Sequence, residues 1–162
     1  MKVVGIDPGT AACGYGIVQG SGGRLREVTH GWWRTPASDT PQRRLKTIFD
    51  RVVELIGEHA PEAAVLEESY VGADARTALS VGQARGAILV ACAVAGVECA
   101  EVPPARVKQA VCGYGRAEKA QVQRMVKAIL ALDELPHPSH AADALAVAIC
   151  HALAPPLLRI AG

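Results

Sequence analysis

Three acidic signals, far apart in the chain, carry the chemistry. Asp7 ends the apolar run Val3-Val4-Gly5-Ile6 and enters the turn Pro8-Gly9-Thr10. Glu67 and Glu68 follow Val65-Leu66, and Asp143 follows His140 by three positions. Carboxylates scattered this way can meet only through folding, and gathered carboxylates bind hard divalent cations. Metal-dependent phosphoester cleavage uses such a site.

Asp-Pro-Gly-Thr also has plainer readings. It makes an ordinary Asx turn, and a related turn opens sugar kinases and actin-like ATPases. A phosphotransferase would need a second glycine-rich phosphate loop and normally a much longer chain, and the sequence has neither. His140 and Asp143 decide more, because two side chains three apart on a helix leave from one face. Asp143 otherwise sits in the alanine-rich stretch 141–148, where an unpaired carboxylate is costly to bury. Coordination of a metal removes that cost.

The elements that must position these groups are readable in outline. Residues 2–6 predict a buried strand, Tyr15 to Gln19 a second and Leu25 to Arg34 a third, with Gly20-Ser21-Gly22-Gly23 as the tight turn between the last two. Gly14 and Gly16 leave room for another backbone to approach closely. Thr40-Pro41 predicts a helix start, with threonine as the cap and proline in the first turn. Leu45, Ile48, Phe49, Val52 and Ile56 then share one helical face. Ala63 to Leu66 predicts a fourth strand, parallel to the first because a helix connects them.

Residues 74–95 predict the longest helix. Ala78, Gly82 and Gly86 leave a smooth stripe on it, suited to close helix packing within the core or across a dimer. Val97 to Val102 predicts a fifth strand. Helices at 104–111, 117–132 and 139–153 follow, the second with Val122, Met125, Val126 and Ile129 inward and the third capped by Ser139. The pattern predicts one α/β domain over 1–153, a five-stranded mixed sheet with helices on both faces, and a short tail at 154–162 that frays.

Bulk properties narrow the class. Half of the 162 residues are hydrophobic, which excludes a disordered chain. No uncharged apolar run of membrane-spanning length is present, no secretory signal pattern opens the chain, and the cytoplasm is the expected compartment. Cys13, Cys92, Cys99, Cys112 and Cys150 form no CxxC pair and predict free thiols. A zinc site built from His137, His140 and Cys150 would have irregular spacing and too few ligands. Net charge is only +1, yet residues 104–127 hold six basic side chains against Glu118 alone. That segment suits either a phosphate-binding surface or an ordinary solvated helix face.

Taken together, these segments resemble the RuvC family of Holliday-junction resolvases over essentially the whole chain. The resemblance is carried by Gly5-Ile6-Asp7-Pro8-Gly9-Thr10 with Gly14-Tyr15-Gly16, Arg44-Leu45-Lys46, Gly82-Gln83-Ala84-Arg85-Gly86, and Val107-Lys108-Gln109. Ala117-Glu118-Lys119-x-Gln121-Val122-Gln123 and Ala141-Ala142-Asp143-Ala144-Leu145-Ala146 complete it. It implies a ribonuclease H-like fold and a homodimer that nicks opposed strands of a four-way DNA junction, working with the RuvA–RuvB branch-migration complex. Matched by position, Asp7, Glu67 and Asp143 are the implied catalytic metal ligands, with Glu67 preferred to Glu68 because it directly follows the strand.

His140 stands where some members carry aspartate and others histidine. Mg²⁺ prefers oxygen and Mn²⁺ tolerates imidazole better, so His140 is expected to ligate a metal, hold the phosphate or orient the attacking water. Two Mg²⁺ or Mn²⁺ ions, about 3.5–4 Å apart, are expected to support in-line hydrolysis that leaves 5′-phosphate and 3′-hydroxyl ends. Lys108 and Lys119 match family lysines that serve the DNA backbone, and Arg76 and Arg85 extend the same expectation. Tyr70 matches an aromatic that stacks on an unpaired base. Trp32 and Trp33 read as fold or edge residues. The alternatives are another ribonuclease H-like nuclease and a catalytically silent junction-binding module.

Overall fold

The chain forms a mixed sheet, and residue parity along its strands decides which side chains reach the site. The computed structural model describes residues 1–68 and 74–155. In chain order the elements are β1 (Lys2–Asp7), β2 (Ala12–Ser21), β3 (Arg24–Arg34), α1 (Pro41–His59), β4 (Ala63–Glu67), α2 (Ala75–Val94), β5 (Cys99–Val102), α3 (Pro104–Cys112), α4 (Lys119–Leu130) and α5 (Ser139–Leu153). The sheet order is β3-β2-β1-β4-β5. β1 pairs antiparallel with β2 and parallel with β4, and β4 pairs parallel with β5.

Successive strand residues point to opposite faces. Val4, Ile6, Ile17, Ala64 and Leu66 join a core with α1 and α2, while Val3, Val18, Val65 and Val102 join a second core with α3, α4 and α5. Helices therefore cover both faces, as the alternation of elements predicts. Asp7 continues the parity of Val3 and Gly5, and Glu67 that of Val65, so both belong to the α5 face. Glu68 has the opposite parity, which separates it from Asp7.

Several local expectations are corrected. Thr40 occupies the N-cap of α1, yet its side chain makes no capping bond. Ser139 is the first residue of α5 and Pro138 holds the cap. On α4 the buried residues are Val122, Val126 and Leu130, whereas Met125 is exposed. The start of α4 is set by Glu118 and Gln121, whose side chains exchange bonds with each other's backbone in a capping box. Trp33 stacks on Tyr15 with ring centroids 4.6 Å apart, and the Arg34 guanidinium lies 5.3 Å from the Trp32 ring, so both tryptophans belong to the β2–β3 fold. All five cysteines are free thiols.

Candidate active site

Missing side chains on β1 and β2 bring α5 to the carboxylates. A Cβ on Gly5 would overlap the carbonyl oxygen of Ala144, and one on Gly14 would overlap that of His140. A Cβ on Gly16 would lie 2.6 Å from Leu145. The first turns of α5 thus rest directly on the backbone of two strands, an approach that only glycine permits. Ala141, Ala142 and Ala144 to Ala148 are buried there, and Asp143 is held at the end of β1.

Asp7, His140 and Asp143 each present a ligand atom within 4.8 Å of the others. Nδ1 of His140 lies 2.6 Å from Oδ2 of Asp7, and as the carboxylate only accepts, the imidazole N–H donates. Lys119 Nζ donates to Asp143 Oδ2 at 2.6 Å. Glu67 lies beside this group without belonging to its tightest set. It lines a cavity of about 280 Å³ with Lys108, Lys119 and Asp143, entered between α3, α4 and α5.

The electrostatics follow from crowding acids in a partly buried place. Burial raises the Asp7 pKa most, the His140 hydrogen bond opposes it, and the Asp143 charge raises it further. Burial pushes Glu67 up to about 7, with the charges of Asp7 and Asp143 adding and those of Lys108 and Lys119 opposing. Glu67 thus senses both other acids. Such like-charge crowding is unfavourable alone and is relieved by a cation.

The remaining candidates fall in different places. Lys108, on α3, and Lys119, at the start of α4, line the acidic cavity. Arg76 does not: it lies in the first turn of α2 and lines a separate cavity with Thr10 and Arg44. Tyr70 falls outside the described residues.

Arg85 takes a role that its sequence context did not distinguish. Its Nη1 donates to the carbonyl oxygen of Glu67 at 2.6 Å, and its Nη2 pairs with Glu101 at 2.7 Å. Largely buried, it clamps the end of β4 to β5. An arginine in an apolar helix is itself a signal of a fixed partner.

The comparisons with known proteins agree with this geometry. A family model described as crossover junction endodeoxyribonuclease RuvC matches residues 3–151. The crossover junction endodeoxyribonuclease RuvC of Moorella thermoacetica is 53% identical over 152 residues, covering 94% of this chain and 91% of its own. A solved Thermus thermophilus RuvC structure superposes with a TM-score of 0.86 at 41% identity, covering 94% of this chain and 93% of that one. A second Thermus thermophilus RuvC structure, in complex with a Holliday junction substrate, also gives 0.86, at 38% identity and the same coverages. The five-stranded mixed sheet with helices on both faces is accordingly the ribonuclease H-like fold of those structures. The chain belongs to the RuvC family of crossover junction endodeoxyribonucleases.

Proposed function

We propose that this chain resolves four-way DNA junctions by hydrolysing one phosphodiester in each of two opposed strands, in recombination and repair. The observation that carries the mechanism is the convergence of Asp7, His140 and Asp143 within 4.8 Å, with Glu67 beside them. The donor set fits one or two hard divalent cations: three carboxylates, one imidazole and partial burial suit Mg²⁺ or Mn²⁺, the imidazole favouring Mn²⁺. When bound, such ions supply charge at the attacking and leaving oxygens and lower the pKa of water.

The chain's own residues do the rest. Asp7 and Glu67 end adjacent parallel strands, so their carboxylates are fixed by β1 and β4. His140 is oriented through Asp7 and is placed to assist ligation or to hold the phosphate. Lys119 pairs with Asp143 at 2.6 Å; with a cation held by this carboxylate, the ammonium would be free to meet a DNA phosphate. Lys108, across the same cavity, contributes a second point charge to the backbone. The expected ends are a 5′-phosphate and a 3′-hydroxyl, which ligase can rejoin. Tyr70, by family resemblance, stacks on an unpaired base near the crossover.

Paired cutting requires two sites, and α2 offers the surface for a homodimer. Its inner face buries Ala84, Ile88, Ala91 and Cys92. Its outer face exposes Leu79, Leu89, Val90 and Val94, and Gly82 and Gly86 have open space where a Cβ would stand. The smooth stripe therefore lies outside the core, where a second α2 can approach closely. By length and apolar composition this helix would also suit a membrane, but it carries Arg76 and the clamped Arg85, and charge within a span is costly. RuvA–RuvB partnership and a cytoplasmic setting complete the reading, on family membership.

The test is a labelled four-way junction offered beside linear duplex, with Mg²⁺ or Mn²⁺, and the cut positions mapped. Symmetrical nicks confined to the junction support the proposal. Cutting of duplex at comparable rates would make the chain a general nuclease, and binding without nicking a silent module.

A further inference from the structure

A second cavity, of about 380 Å³, opens on the opposite side of the Asp7 turn. It lies between the starts of α1 and α2, and its polar lining comprises Thr10, Asp39, Arg44, Arg76, Ser80 and Gln83. Two features set it apart from an incidental surface cleft. The first is an orphan donor: Nε of Arg44 is buried and has no hydrogen-bond partner among the described residues. Buried donors are nearly always satisfied, and a cationic one left bare is costly. Neither the Arg44 nor the Arg76 guanidinium forms an ion pair among the described residues, even with Asp39 in the same lining. Two fork-shaped cations therefore face one cavity without a paired acid.

The second feature is the mechanical link to the acidic site. Thr10 stands three residues after Asp7 in the β1–β2 turn. Its hydroxyl lies 2.5 Å from that of Ser80 on α2, and its carbonyl accepts from the Thr35 hydroxyl. The wall of the cavity and the turn that carries Asp7 are thus one fixed piece. Guanidinium, hydroxyl and amide donors together match a phosphate, and a guanidinium does so with two parallel bonds.

We propose that this cavity seats a DNA phosphodiester flanking the one that is cut, with Arg44 as its main contact and Arg76, Ser80 and Gln83 completing the shell. The inference rests on the junction-cleaving reading and deepens it. A single strand carries a phosphate about every 3.4 Å of helix axis, so a strand gripped only at the scissile group can pivot. Lys108 and Lys119 hold it on the α3–α4 side of Asp7, and Arg44 and Arg76 hold it on the α1–α2 side. Backbone contacts on both sides fix the register of the strand against the acids.

The experiment uses four-way junctions that carry one neutral methylphosphonate at successive backbone positions, with binding measured without divalent metal over a range of salt. For the wild-type protein one flanking position is expected to lower affinity roughly tenfold, the loss of a hydrogen-bonded charge contact. Arg44→Ala should lose a similar factor on unmodified DNA, reduce the salt slope by about 1, and become insensitive to neutralisation at that position alone. Arg44→Lys, which keeps the charge and removes the fork, should keep the salt slope while losing part of the positional effect, and it guards against misfolding of the alanine variant.

Wild-type selection of junctions over duplex, combined with an Arg44→Ala profile that follows wild type at every position, overturns the subsite and leaves the resolvase reading intact. Failure of the wild type to select junctions overturns both. A rise in wild-type melting temperature on adding inorganic phosphate, with no positional methylphosphonate effect, assigns the cavity to a free anion and overturns the DNA assignment.

Discussion

The imidazole of His140 donates from Nδ1 to Oδ2 of Asp7 at 2.6 Å, across 133 residues of chain. This bond joins the first strand to the last helix at the point where both deliver their proposed metal ligands. His140 is therefore placed to steer Asp7 as well as to bind an ion itself. His140→Ala should reduce nicking by about 10- to 100-fold, the usual cost of losing an orienting partner at a metal site. His140→Asp should recover nicking in Mg²⁺ more than in Mn²⁺, because it exchanges imidazole for oxygen. Rates on a junction in each metal check both, and equal rates for all three proteins would remove His140 from the site.

Glu67 gives the pH dependence. Its pKa rises on folding from 4.5 to about 7, so the folded state favours the protonated form. This group's contribution to stability is therefore fully present below 4.5 and is lost as pH rises through about 7. The metal-free protein should therefore lose melting temperature over that window. Divalent-ion affinity should rise over the same window, because protons and the cation compete for the carboxylate. Glu67→Gln should flatten the metal-free stability profile while depressing nicking. A variant profile with the wild-type slope would assign the pH dependence to another group.

The glycine contacts make a structural prediction. Gly14→Ala places a methyl group against the carbonyl of His140, and α5 must move. A destabilisation of about 1–3 kcal/mol is expected from overpacking, read by chemical denaturation. Divalent-ion affinity should fall together with stability, since the same shift parts His140 and Asp143 from Asp7. Unchanged ion affinity in a destabilised Gly14→Ala protein would show that the site tolerates a displaced α5.

The outer face of α2 predicts the assembly. Val90→Glu sets a charge on an exposed apolar position of that helix and should shift a dimer to monomer in analytical ultracentrifugation, with melting of the monomer little changed. Nicks should then become unpaired, since one protomer cuts one strand. A variant that remains dimeric would move the interface away from α2.

Much of the site is legible in the sequence because strand parity is simple. Asp7 extends the parity of Val3 and Gly5, Glu67 that of Val65, and Glu68 falls on the opposite face. Gly14 and Gly16 announce a close approach, and the alanine-rich run around Asp143 supplies the helix that makes it. Other positions were less readable for identifiable reasons. Arg85 lies among apolar helical residues, and only the tertiary pairing of β4 with β5 places Glu101 and the Glu67 carbonyl within its reach. Ser139 resembles a cap, but Pro138 takes that position. Met125 and Leu130 compete for the inner face of α4, and the packed helix buries Val122, Val126 and Leu130 at four-residue spacing while leaving Met125 exposed. Arg44 lies on a polar helix start and acquires meaning only from the cavity it shares with α2.

In the proposed mechanism the gathered acids hold the ions that cut, while separate basic surfaces hold the DNA. Asp7→Asn keeps the shape of the side chain and removes its charge. Nicking of a four-way junction and its binding are to be measured side by side on this variant. Nicking should disappear in both Mg²⁺ and Mn²⁺ while junction affinity stays within a few-fold of wild type. Nicking at the wild-type rate would contradict this mechanism.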